Sequence, residues 1–143
     1  MMAPANPSER GGRSTRAPAG ARPRPVPTLA AAWLVPGGGH FLQGQTQKAV
    51  VFGVTLLLMF VVGLAFGGRL FALQLGDPLV FLAAVAQWAM LAPRLVAAVF
   101  GLGAGDVVAV SYEYGNAFLI AGGLLNMLVM LDALDLASGR KAR

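Results

Sequence analysis

Uncharged stretches separated by short polar turns organise this chain. The clearest runs from Ala49 to Gly68, twenty residues bracketed by Lys48 and Arg69. Twenty helical residues rise about 30 Å, the thickness of a bilayer's hydrocarbon core. The stretches Pro25–Gln47, Pro78–Pro93 and Tyr114–Leu131 repeat the pattern over shorter or more broken lengths. A chain of 143 residues is too short to hide several such helices in a soluble core. The pattern predicts an all-α integral membrane protein of about four membrane-embedded helices, over residues 28–44, 49–68, 78–100 and 115–137.

Local signals refine each segment. Thr28 reads as the N-cap of a first helix that is short or kinked, because Pro36 removes a backbone donor and Gly37, Gly38 and Gly39 follow it. That segment is either a kinked span or a re-entrant half-helix, since irregular backbone survives at membrane depth only where protein or water satisfies it. Gly63 and Gly67 make one G-x-x-x-G step, suited to close helix approach, within this chain rather than between copies. Asp77-Pro78 opens the third segment and Pro93-Arg94 interrupts it. The fourth closes at Ser138-Gly139.

Composition agrees: 57% of residues are apolar and 12% charged, and there are nineteen glycines. Five of the eleven basic residues lie in the first 24 and three in the last four. Bases placed so report topology and affinity for anionic lipid, and no aromatic-interleaved basic surface points to nucleic acid. Both termini are thus expected on the cytoplasmic side of a bacterial-type inner membrane, with residues 140–143 as a basic cytoplasmic end. Four crossings satisfy this and would put Arg69 and Asp77 inside, Asp106 and Glu113 outside. Two full crossings with two re-entrant or surface segments satisfy it as well. Residues 1–27 hold six prolines and a single acidic residue, Glu9, and are expected to be a disordered tail. No small-x-small site follows Leu29–Val35, so cleavage is not expected.

Little catalytic chemistry is on offer. Without cysteine there are no thiolate ligands or nucleophiles, and His40 is the one histidine, so no metal and no cofactor is expected. Neither glycine cluster has the spacing of a phosphate or dinucleotide loop. His40, just past a helix break, is expected to bond carbonyls freed around Pro36. Asn126, near the middle of the fourth segment, needs a buried partner, and Gln87 matches it in depth. Gln87 and Arg94 are seven residues apart and share a helix face. Asp132 and Asp135 share another face, with Arg69 or Arg140-Lys141 as expected partners. Lacking a nucleophile or oxyanion donor, that pair does not make an enzyme.

The stretch Pro36-Gly37-Gly38-Gly39-His40-Phe41-Leu42-Gln43-Gly44 resembles the P-G-x-G-H-x-x-x-G element of small bacterial membrane proteins related to two-helix TM2-type domains. Residues 121–135 with Gly139-Arg140-Lys141 resemble an uncharacterised bacterial family that pairs this element with A-G-L-L-N-x-L-x-x-L-D-A-x-D-x-A-x-G-R-K. Gly123 departs from that pattern, which has a bulkier residue there. The resemblance covers residues 28–141 and implies an architecture, with no activity attached. Isolated polar residues rather than a polar stripe favour a structural or accessory component that packs in the bilayer, as an oligomer or within a larger membrane complex. The alternative is a small oligomeric channel or transporter using Asn126 and Asp132.

Overall fold

The computed structural model describes residues 24–140. Helices follow in the order α1 (Pro25–Leu34), α2 (Gly38–Leu42), α3 (Thr46–Ala65), α4 (Pro78–Trp88), α5 (Leu91–Val99) and α6 (Tyr112–Ala137). The expected tail falls outside the described residues as far as position 23. From Pro25 onward the chain is already helical, because prolines at 25 and 27 sit in the first turn, where no N–H is required. Thr28 therefore lies inside α1 and is not its N-cap. Its hydroxyl donates back to the Arg24 carbonyl at 2.7 Å.

Pro36 ends α1 by driving Val35 into the extended region, φ −127° and ψ 123°. Gly37 then turns the chain with φ +81°, and a Cβ there would strike the Ala49 carbonyl. The five residues of α2 run back along α1. The pair is a short helical hairpin, and α1 at ten residues cannot cross a bilayer alone.

Two helices, α3 and α6, are long and apolar enough to cross a membrane. They pack antiparallel. Gly63 and Gly68 near the end of α3 meet Gly115 and Leu119 near the start of α6, while Gly39 and Gln43, just before α3, meet Ala133 near the end of α6. Leu56, Phe60, Met90, Ala97, Leu119 and Val129 form the core between these elements.

The segment 78–100 is not one helix. Asp77 caps α4 as the sequence suggests, its Oδ1 accepting from the Leu79 N–H at 2.9 Å. The interruption falls at Ala89-Met90, ahead of the expected Pro93-Arg94, and bends the axis by 99°. Pro93 causes the break one turn upstream, since its ring clashes with the Ala89 carbonyl and cannot donate to it. Pro93 itself fits comfortably in the first turn of α5.

Both flanks of α4–α5 lie at one end of the molecule. The Leu70 N–H donates to Gly103 at 2.8 Å and the Asp106 N–H to Gly67 at 2.9 Å. Four full crossings would separate residues 66–77 from 101–111, and here they are hydrogen-bonded together. The arrangement is two long helices, each end closed by a broken helical pair, with α4–α5 a third span only if a bent pair counts as one. Single-cysteine labelling checks this in a chain that has no native cysteine. Leu75→Cys and Val108→Cys should react with an impermeant maleimide from one side, Gln47→Cys and Ser138→Cys from the other. Labelling of positions 75 and 108 from opposite sides would restore four crossings.

Candidate functional site

Proline cannot hydrogen-bond the carbonyl four residues before it. Pro36 thus deprives Ala32 of its helical donor, and Pro93 does the same to Ala89. Both carbonyls lie in the buried interior, where an unmade bond is costly. The Asn126 amide donates to each of them, at 3.3 Å to Ala32 and 2.6 Å to Ala89. One side chain on α6 therefore repairs both helix breaks and ties α1 and α4 to the long helix. Gln87, expected as its partner, is engaged elsewhere.

Gln87 serves the extended segment after α3. Its Nε2 donates to the Arg69 carbonyl at 2.9 Å and its Oε1 accepts from the Phe71 N–H at 2.8 Å. Asn116 Oδ1 takes the Arg69 N–H at 2.8 Å. Arg94 donates from Nη1 to Gln87 Oε1 at 3.2 Å and from Nη2 to the Phe71 carbonyl at 2.5 Å. The seven-residue spacing does bring Gln87 and Arg94 together, across the 99° bend. Their role is to satisfy backbone that belongs to no helix.

His40 is fully buried in α2, edge-on to Phe52, and its Nε2 lies 3.0 Å from Asp132 Oδ2. This corrects the expectation for His40, because the carbonyl freed by Pro36 goes to Asn126, and it gives Asp132 an imidazole partner that the sequence did not pair with it. The α1–α2 hairpin is what makes the meeting possible, because it carries His40 back along α6. Gln43 secures the same junction by donating to the Ala133 carbonyl at 2.5 Å. Asp135 does reach Arg140, at 3.9 Å in an exposed pair.

The glycines divide by role. Gly39 lets α2 lie against Ala32 and Ala133, and Gly63 seats Leu119 of α6, so both serve contacts within the chain. Gly44 and Gly67 are turn positions with φ +74° and +79°. Gly67 lies beside Asp106, whereas Gly44 has open space around it.

Asn126, the two prolines, His40 and Asp132 thus form one framework that spans the chain from position 36 to position 132. That extent matches a family model covering residues 27–142, described as a family of unknown function. The chain belongs to DUF6677. No curated protein and no solved structure matches it. The DUF6677 match takes in every helix from α2 to α6 and most of α1.

Within this DUF6677 domain, Asn116, Gln43, Trp33 and Trp88 complete the polar framework without having been singled out in the sequence. Trp33 Nε1 donates to the Trp88 carbonyl at 2.8 Å, a further link from α1 to the end of α4. The signal for Asn116 was available, since it stands one turn inside α6. Gln43 lies inside the glycine-rich motif, at one of its unspecified positions. Among the described residues no three His, Asp or Glu side chains gather as metal ligands.

Proposed function

We propose that this DUF6677 protein is a structural or accessory component of a bacterial inner membrane, with both termini cytoplasmic, acting by helix packing within an oligomer or larger membrane complex and without enzymatic activity. One observation carries the reading. The fully buried Asn126 spends its donors on two carbonyls that Pro36 and Pro93 have stripped. Gln87, Asn116 and Arg94 likewise bond main-chain groups. Donors spent on backbone in this way support packing rather than a path for a solute. The proposed orientation is supported by Arg24, Lys48 and Arg140, which stand at the end where α3 starts and α6 finishes.

A second reading, a small channel or transporter, draws on Asp132, which is 28% exposed while its partner His40 is at 0%. An intramembrane carboxylate open on one side is a place for a proton to enter. Vesicles holding the purified protein decide between the two under an imposed pH gradient. Ion flux should equal that of empty vesicles, and Asp132→Asn, which keeps an acceptor for His40, should change nothing. A wild-type flux that vanishes in Asp132→Asn would replace the structural reading with the channel. For the accessory role, solubilisation from native membranes in a mild detergent should yield a particle larger than one chain. A strictly monomeric particle would count against it.

A further inference from the structure

Arg94 carries more than its hydrogen bonds require. It is 8% exposed, packed 4.7 Å over the Trp88 ring, and its two donor contacts go to neutral groups, Gln87 Oε1 and the Phe71 carbonyl. A neutral amide could supply those bonds at a far smaller desolvation cost, and the Trp88 ring face, which attracts the cation, carries no full negative charge to balance it. Among the described residues no carboxylate lies within ion-pair distance of it, and the ion pairs present are His40–Asp132 and Asp135–Arg140. The helix termini nearby do not neutralise it either, because the negative end of α4 and the positive end of α5 meet at the same break. A second group at the same place is also short of a partner. Trp88 Nε1 is buried with no acceptor among the described residues.

A guanidinium with spare N–H groups beside an unpartnered indole N–H lacks one thing, an anion with several acceptor oxygens. We propose that Arg94 and Trp88 form a phosphate-binding site that takes the headgroup phosphate of an anionic lipid. Arginine's planar fork suits phosphate, and burial strengthens the attraction. Two neighbouring features favour a lipid over a free ion. An apolar groove of about 350 Å³ between α3 and α5 is lined by Ala92, Pro93, Val96 and Ala97, the neighbours of Arg94 on α5, and can seat an acyl chain. The loops at this end of the molecule also present Leu75, Phe100, Val108 and Val110 outward, as a surface resting in the bilayer interface would.

The test uses the full chain in a neutral maltoside detergent, titrated in turn with phosphatidylglycerol, phosphatidylcholine and inorganic phosphate. Thermal stability and lipid retention in native mass spectrometry are the readouts. Phosphatidylglycerol should raise the melting temperature saturably and survive as a bound adduct, with phosphatidylcholine much weaker. Trp88→Phe keeps the ring under Arg94 and removes only the indole N–H, so it should fold normally and bind phosphatidylglycerol about tenfold more weakly. Arg94→Gln retains a donor for Phe71 and should lose the response. If Arg94→Gln does not fold, Trp88→Phe still decides. A response to inorganic phosphate equal to that of phosphatidylglycerol would keep the phosphate chemistry and overturn the lipid as its source. An unresponsive wild type, or a Trp88→Phe variant that responds as wild type does, would overturn the site.

Discussion

Asn126→Leu should be among the most damaging single changes in this protein. Leucine suits the bilayer and shares asparagine's branched outline, so a polarity argument alone would expect tolerance. The loss is of two donors aimed at two carbonyls that no backbone N–H can reach. At about 0.6–2 kcal/mol for each interhelical hydrogen bond in a membrane, the cost is about 1–4 kcal/mol. Asn126→Ser, with one donor, should fall between leucine and wild type. Pro93→Ala returns an N–H to the register of Ala89, so combined with Asn126→Leu it should recover part of the loss. Unfolding of detergent-solubilised protein measures all four. Equal stability of Asn126→Leu and wild type would show that water, not Asn126, satisfies these carbonyls.

The helices and their apolar faces were legible because hydrophobic runs follow directly from bilayer thickness. The two long helices α3 and α6 appear as uncharged stretches in the sequence, displaced by only a few residues from the expected bounds. What composition does not encode is whether a broken apolar segment crosses or returns. The α4–α5 segment is as apolar as a span, yet its flanks are joined by Leu70–Gly103 and Asp106–Gly67 backbone bonds. Those are long-range pairings with no local signature.

Polar partners were misjudged for a more instructive reason. Depth in the membrane paired Asn126 with Gln87, side chain with side chain, and nearness in sequence gave the carbonyls freed around Pro36 to His40. Proline changes that accounting, since each one inside an apolar segment creates a carbonyl in need of a donor at a known position, four residues back. Read in that way, Pro36 and Pro93 point to Ala32 and Ala89, and a mid-span asparagine is their natural donor. With Asn126 taken, His40 is left to Asp132. That pairing depends on the chain reversing at Gly37, which no periodicity reveals.

Gly123 offers the sharpest test of how closely α4 and α6 pack, because its neighbour is a built-in control. A Cβ at Gly123 would run into the Ala86 carbonyl, with the Gln87 nitrogen at 3.0 Å, so helix backbone stands on the far side and cannot rotate away. One residue earlier, a Cβ at Gly122 would meet only Met59 Cβ at 3.5 Å and Met90 Sδ at 3.7 Å, ordinary contacts with side chains. Both glycines lie mid-helix in α6, and both gain about 1 kcal/mol of helix propensity on becoming alanine. The propensity term therefore cancels between them. Gly122→Ala should be neutral or stabilising. Gly123→Ala should be destabilising by about 1–3 kcal/mol through overpacking, and should weaken the Asn126–Ala89 bond as α4 is pushed off α6. Melting temperatures of the two alanine variants in the same detergent give the comparison. If they match, α4 is not held against α6 at Ala86, and the repair of the Pro93 break by Asn126 loses its geometric basis.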